Sequence, residues 1–580
     1  MCGIFLELSC EKCSIVNDID VLRRLKNRGP DHLQRKDFIS EIGHHIVFVA
    51  SVLWMQGPQM TLQPLENECG ILLYNGDIFD ESWDSRTSDT QIIMEKLSYD
   101  CDSQIDKVIN VLKSLKGPFS LIYYCKVTNK LYFTRDRFGR NSLLIHKNSN
   151  SLVLSSVLGT QYENYEVPVS HISVLDLNTH KILLYTWKAT DIVQQCNLSD
   201  WLKTLQLKQS LSDEDFTVEA NIPWDIDGLE DTVSFIESVA KKTKCNVTIM
   251  KTLSQHPEIQ TTINKIIYLL NKSIQKRLKR QPNLCRNCLK ITEINCSHSA
   301  VGVLFSGGLD CTILALLADK YVPKNQSIDL LNVAFNKENP TYDVPDRITG
   351  RKSLEELRRL CPLRKWTFKE INVPKEELEE FQINVIADLI YPRQTILDES
   401  LGSALWFAAR GQDHHSVSNC RVLFSGTGAD ELFGGYTRHR AVFKRLGWAG
   451  LCKELQLDWE RIPYRNLARD NRVICDHGRQ PRMPYLDEEF AEFVIHLKPW
   501  LKCFPSKHLG HGLGDKLMLR LVAYNIGLME VSTFPKRALQ FGSRVANKNE
   551  KGTSSTGHRS LKSNLKVRNL SYLTDSYKHI

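Results

Sequence analysis

The sequence predicts a doubly wound parallel α/β domain in its C-terminal half, and three observations predict it. Val301-Gly-Val-Leu-Phe-Ser-Gly-Gly-Leu-Asp310 is a short apolar run stopped by two glycines, and an apolar helical stretch follows at 312–318. Arg421-Val-Leu-Phe-Ser-Gly-Thr-Gly-Ala-Asp-Glu-Leu-Phe-Gly-Gly-Tyr436 repeats the strand, small-residue turn and helix start about a hundred residues later. Between them strands (328–335, 366–373) alternate with helices (353–360, 397–409), and a turn is expected at Pro345-Asp-Arg347. A long helix with apolar residues at helical spacing, 259–278, precedes the first strand.

Each strand–turn–helix unit suits an anion. Gly307 and Gly308 let the backbone come close, and free N–H groups at a helix start point at negative charge. Ser306 adds a hydroxyl, and Asp310 is suited to Mg²⁺ rather than to phosphate itself. No lysine follows the glycines, so this is not the common Gly-Lys-Ser/Thr phosphate loop. Two such units can face one nucleotide across a parallel sheet.

The N-terminal half carries a different chemistry. Removal of Met1 would leave Cys2 at the amino terminus, where its own amine, with a reference pKa of about 7.7–8.0, can take the thiol proton. Asn27-Arg-Gly-Pro-Asp31 is a turn after a helical stretch. Leu72-Leu-Tyr-Asn-Gly-Asp77 is a strand ending in a turn signal, and Asn75 with the Gly76 N–H can form an oxyanion hole. Ser88-Asp-Thr90 opens a helix and offers Asp89 to an ammonium group. Strands follow at 119–124, 130–134 and 151–155, with Arg135-Asp-Arg-Phe-Gly-Arg140 turning between two of them.

In that order, Cys2-Gly-Ile, Arg28-Gly-Pro-Asp, Asn75-Gly-Asp, Ser88-Asp and Arg135-Asp-x-x-Gly resemble the class II glutamine amidotransferases. The resemblance implies an αββα Ntn-hydrolase-type sandwich over 2–188. In it Cys2 attacks the glutamine amide, Asn75 and Gly76 stabilise the oxyanion, and Asp77 and Asp89 hold the glutamine α-amine. In the C-terminal half, Ser306-Gly-Gly-Leu-Asp310, Ser425-Gly-x-Gly-Ala-Asp-Glu431, Phe433-Gly-Gly-Tyr436, Arg482-Met-Pro-Tyr-Leu-Asp487, Asp515-Lys516 with Leu519-Arg520, and Pro535-Lys-Arg537 with Gln540-Phe-Gly542 resemble asparagine synthetase over 259–545. Pro345-Asp-Arg-Ile-Thr-Gly-Arg351 and Lys536-Arg-Ala-Leu-Gln-Phe-Gly-Ser-Arg544 are most similar to the divergent branch of asparagine synthetase domain-containing proteins.

The second resemblance implies a pyrophosphate-loop domain of the adenine nucleotide α hydrolase-like type and a two-site ligase. Its substrates would be glutamine, aspartate and ATP with Mg²⁺, and its products asparagine, glutamate, AMP and pyrophosphate. Ammonia from Cys2 would reach an aspartyl-adenylate through an internal channel. Phe305, Ser306, Gly307, Gly308, Asp310, Val333, Ser425 and Gly426 would bind ATP, with Asp310 holding Mg²⁺ through pyrophosphate. Lys536 would be the cation for the leaving pyrophosphate, and Asp430 and Glu431 would orient aspartate or metal.

Several positions depart from the family pattern. Val52 stands where an arginine clamps the glutamine carboxylate; a charged hydrogen bond contributes roughly 1.5–3 kcal/mol, so its loss predicts weaker glutamine binding. Thr427 replaces a glutamate beside the acyl-adenylate, Gln480 another glutamate, and Cys311 a serine. Two alternatives therefore stay open: a catalytically degenerate scaffold or interaction protein, and an adenylating amidotransferase with a different acceptor.

The chain has 580 residues, 42% hydrophobic and 24% charged, with formal net charge +8 and 17 cysteines in no disulfide framework. No apolar run reaches membrane-spanning length and no signal-peptide pattern is seen, so a cytoplasmic protein with reduced cysteines is expected. The basic runs Lys276-Arg-Leu-Lys-Arg280 and the tail lack interleaved aromatics, so no nucleic-acid partner is expected, nor a membrane partner. A homodimer is left open. Residues 189–258 read as a partly mobile interdomain segment and 546–580 as a disordered basic tail. Cys285, Cys288, Cys296 and His298 are zinc-ligand types, but the Cys-Ser-His spacing is cramped against a core strand, and the segment is not read as a zinc site.

Overall fold

A computed structural model describes residues 2–546, apart from 41, 85, 99–104, 188–191, 211–230, 283, 292–295, 337–340, 507 and 510–511. The expected tail, 546–580, lies outside the described residues from 547 onward.

Two antiparallel sheets build the N-terminal half. One runs in the spatial order Tyr165–Glu166, Leu144–Lys147, Ser151–Ser155, Gly3–Ser9, His45–Val52, His32–Ile39. The other runs Ile192–Asn197, Lys181–Thr186, His171–Asp176, Lys130–Arg135, Phe119–Cys125, Gly70–Gly76, Leu65–Glu66. Side chains of a strand alternate between faces, so each sheet has two sides to cover. Ile4, Leu6, Ile46 and Phe48 meet Ile71, Leu73, Ile122 and Phe133 between the sheets. Leu72, Tyr74, Leu121 and Tyr123 face the other way, onto the helices Asp89–Ser98 and Ile105–Ser114. Phe5, Val47 and Val49 pack on Val21 and Leu25 of the helix Ile19–Arg28. The layers are helix, sheet, sheet, helix: the αββα sandwich.

The C-terminal half is built on a parallel sheet in the order Trp366–Pro374, Ile328–Asn336, Val301–Leu304, Val422–Phe424, Gln480–Arg482. Helices cover both faces: Pro257–Lys279, Leu309–Ala318 and Leu517–Asn525 on one, Ile396–Arg410 and Ala468–Cys475 on the other. The chain runs outward from the central strand 301–304 in one direction, then returns to its other side at 422–424. That reversal opens a crevice at the carboxyl ends of these two strands, where ligands bind in such folds. The turn expected at Pro345 is instead the first residue of a helix, Pro345–Leu360, because a proline's missing N–H costs nothing there.

Of the expected interdomain segment 189–258, residues 189–191 and 211–230 lie outside the described residues, and the rest divides between the halves. Ile192–Asn197 extends the second sheet, and Trp201 and Leu205 of the helix Leu198–Ser210 fill its core. The helices Asp231–Lys242 and Asn246–Leu253 bury Ile236, Ala240, Met250 and Leu253 in the C-terminal core. Alternation too sparse to read in sequence is thus enough to seat short elements on a formed core. Among the described residues no helix is long and apolar enough to cross a membrane.

Candidate functional site

The crevice is a cavity of about 490 Å³, within the range of small-molecule sites. Phe305, Ser306, Gly308, Asp310, Val333, Ser425, Gly426, Asp430, Glu431 and Lys536 all line it. Gly307 does not. Its φ is +75° and a Cβ there would stand 2.4 Å from the Gly350 Cα, so its freedom serves packing under the helix Pro345–Leu360. Gly426 lets the two turns approach: a Cβ there would come 2.9 Å from the Asp310 Cβ.

A chain of ion pairs crosses the floor. Lys516 Nζ reaches Asp310 Oδ2 and Asp430 Oδ1, both at 2.6 Å, and Lys536 Nζ reaches Asp430 Oδ2 at 2.5 Å. Burial opposes the charge on Asp430, but the two lysines hold its carboxyl well below the usual range. Burial likewise works against the Lys516 cation, and the two acids overcome it and hold it firmly protonated. Lys516 has φ +54°, a left-handed conformation costing a non-glycine residue about 1–3 kcal/mol, found most often at functional sites. Arg438, Arg461, Arg465, Arg469, Arg520 and Arg537 also line the cavity. Against these six and the two lysines stand six acids, Asp310, Asp346, Asp430, Glu431, Asp458 and Asp470, and burial pushes up the carboxyls of Asp346, to about 7, and Glu431. The balance favours an anionic ligand.

The residues present fit a magnesium ion. Asp310 Oδ1 is buried without a hydrogen-bond partner among the described residues, while its other oxygen is held by Lys516. A hard carboxylate oxygen free beside a phosphate-type turn is what Mg²⁺ uses alongside substrate phosphates. Glu431 is differently committed: it accepts from the Tyr436 hydroxyl at 2.6 Å and the Asn466 amide at 3.0 Å. Thr427 turns its hydroxyl to Ser425 Oγ at 2.6 Å and adds no charge.

In the N-terminal half Cys2 is buried, and burial pushes its thiol up. The Gln63 amide nitrogen stands 3.8 Å from Cys2 Sγ, and Gln63 Oε1 accepts from the Tyr74 N–H at 2.7 Å. The carboxylate of Asp77 is engaged by Arg482 at 2.8 Å, by the Gln480 amide at 2.5 Å and by the Gln56 amide. Asp89 accepts from the Tyr74 hydroxyl at 3.1 Å and the Ile78 N–H at 3.2 Å; burial and then Asp77 push its carboxyl up to about 7. Asn75 gives its amide to Ser120 Oγ at 3.2 Å. Gly76 leaves no room for a side chain, since a Cβ would meet the Tyr74 hydroxyl at 2.4 Å. Val52 is buried in its strand.

Residues 296–449 and 443–577 match the asparagine synthase family, and residues 52–160 match a glutamine amidotransferase domain. The chain is 39% identical to an asparagine synthetase domain-containing protein of Drosophila melanogaster, covering 95% of this chain and 99% of that one. It is 35% identical to asparagine synthetase domain-containing protein 1 of Homo sapiens, over 96% and 97%. A Saccharomyces cerevisiae relative of the same description is 28% identical, over 94% and 92%. The chain belongs to the family of asparagine synthetase domain-containing proteins.

In this family member the helix Ala468–Cys475 stands between the two centres. Its Arg469 and Asp470 line the crevice cavity. Asn471 accepts from Arg28 at 2.9 Å and donates to Asn141 at 3.2 Å, and Arg472 donates to Ser142 at 2.8 Å and pairs with Glu166. Arg28 in turn donates to the Cys2 carbonyl at 3.4 Å. The sequence marks Lys516 only as part of a motif and gives neither Gln56 nor Gln63 a role. Nothing local marks them: a lysine before an apolar helix and two glutamines in a loop are ordinary until the fold gives them partners.

Proposed function

We propose that the chain is an ATP-consuming amide ligase of the asparagine synthetase type. The observation that carries this is the convergence of Ser306, Gly308, Asp310, Ser425, Gly426, Lys516 and Lys536 on one cavity at the strand-order reversal. ATP binds with adenine and ribose beside Phe305, Val333, Ser425 and Gly426. Its phosphates lie toward Ser306, Gly308 and the two lysines, and Asp310 Oδ1 serves Mg²⁺. The acceptor carboxylate, that of aspartate, attacks the α-phosphorus and expels pyrophosphate, whose charge Lys536 and Lys516 offset. Ammonia then displaces AMP from the mixed anhydride.

Glutamine is the nitrogen donor at Cys2 in this reading, with Asn75 and Gly76 as oxyanion donors. One observation favours a second reading, in which free ammonia is the better donor. The carboxamides of Gln56 and Gln63 lie on Asp77 and beside Cys2, in the places a substrate glutamine would claim, and Val52 brings no charge for its carboxylate. Thr427 suits an acceptor that lacks the aspartate α-ammonium.

The test is pyrophosphate release by the full chain with ATP, Mg²⁺ and aspartate, with glutamine or ammonium. Release with both supports the first reading, and release with ammonium alone supports the second. In the second case Gln63→Ala should raise glutamine-driven release. No release with aspartate or other small carboxylates would overturn the ligase and leave the scaffold.

A further inference from the structure

Away from both sites, three thiols and an imidazole meet just before the central strand 301–304. Cys285, Cys288 and Cys296 are buried and His298 is exposed, and one ligand atom from each lies within 4.8 Å of all the others. Cys288 Sγ is 3.4 Å and Cys296 Sγ 3.8 Å from the Nδ1 of His298. We infer that these four side chains hold a structural Zn²⁺ ion.

Two sulfur–nitrogen distances fit a tetrahedral site. Bonds of about 2.3 Å from zinc to sulfur and about 2.0–2.1 Å to nitrogen put sulfur and nitrogen roughly 3.5 Å apart. The two sulfur–nitrogen separations lie on either side of that value. The backbone is also arranged for thiolates: the Cys288 N–H points at Cys285 Sγ and the Cys285 N–H at Cys296 Sγ, each at 3.4 Å. Amide donors to sulfur stabilise the anionic form a metal needs and fix its direction. A metal-free cluster explains less. Among the described residues the three cysteines form a cluster joined only by Leu284, and a disulfide between two would give the third and His298 no reason to converge. Three thiolates and an imidazole are a soft set that excludes Mg²⁺ and Ca²⁺. Four protein ligands leave no open position, so the ion is structural rather than catalytic.

Its place in the fold gives the role. The Arg286 N–H bonds the Asn419 carbonyl and the Asn287 amide the Asn419 side chain, both at 3.0 Å, just ahead of the strand Val422–Phe424. The Gln326 amide bonds the Cys296 carbonyl at 3.3 Å, just ahead of the strand Ile328–Asn336. The metal thus knots together the amino ends of the three central strands, whose carboxyl ends carry Ser306, Val333 and Ser425. The cramped Cys-Ser-His spacing is no obstacle, since Cys296 Sγ and His298 Nδ1 lie 3.8 Å apart.

The test is metal content of the full chain, purified under reducing conditions from zinc-supplemented medium. Elemental analysis should find about one zinc per chain, released on titration with a thiol-specific mercurial. Replacement by Co²⁺ should give the thiolate charge-transfer and intense visible bands of a tetrahedral site. Cys288→Ser and His298→Ala should each lower zinc occupancy at least about tenfold, while Cys245→Ser, at an exposed cysteine elsewhere, keeps one zinc. Should the first two variants not fold, zinc stoichiometry and the cobalt spectrum of the unmodified chain decide alone. Less than about a tenth of an equivalent of zinc with no tetrahedral cobalt spectrum would overturn the site. So would a native disulfide among the three cysteines.

Discussion

Lys536→Met separates a triphosphate site from a merely charged cleft. Lys536 pairs with Asp430 at 2.5 Å and keeps 23% of its side chain exposed. Asp430 retains Lys516 on its other oxygen, so removing Lys536 leaves no unpaired buried charge. A part-exposed pair of this kind contributes about 0–1 kcal/mol, and the variant should fold. Lys516 is the contrast: 2% exposed and bridging two acids, its loss strands Asp310 and should cost about 3–5 kcal/mol. Toward a ligand the order reverses. A charged hydrogen bond to phosphate is worth about 1.5–3 kcal/mol, which is roughly tenfold to a hundredfold in Kd. Calorimetric titration of the full chain with Mg·ATP should therefore show a Kd weakened by that factor in Lys536→Met, with an intermediate value in Lys536→Arg. An unchanged Kd in a folded Lys536→Met protein would refute the placement of the phosphates beside this residue.

The junction between the halves gives a second expectation. Arg482 and Asp77 are both fully buried, so Arg482→Met should destabilise by about 3–5 kcal/mol in urea unfolding, and adding Asp77→Asn should recover part of the loss. Strict additivity would count against the pair. Burial and Asp77 give Asp89 a folded carboxyl at about 7, above its unfolded value of about 3.9, so the folded state holds the extra proton between those values. Stability should fall as pH rises through that window and level off above it, and Asp89→Asn should flatten the slope. A slope of the opposite sign would exclude the assignment. Gly307→Ala combines a left-handed backbone with a 2.4 Å approach to Gly350, and should lower thermal stability by more than about 1 kcal/mol; a neutral result would show the turn to be plastic.

Much of the architecture was written locally. Apolar runs cut short by Gly-Gly or Gly-Thr-Gly dictate strand, turn and helix start, since chain conformation there depends on neighbours a few residues away. The carboxyl-end cavity then follows from strand order, and most of the residues expected to bind nucleotide meet in it. What tertiary structure decided is which charges face each other. Lys516 and Asp310 are 206 residues apart and Arg482 and Asp77 405, and no periodicity reports a partner at that distance. The same holds for the glutamines beside Cys2 and Asp77, and for three cysteines and a histidine whose spacing looked wrong for a metal. Sequence fixes the backbone's local choices through short-range sterics and burial. The pairing of buried polar groups is settled only when packed elements leave each one a single neighbour able to satisfy it.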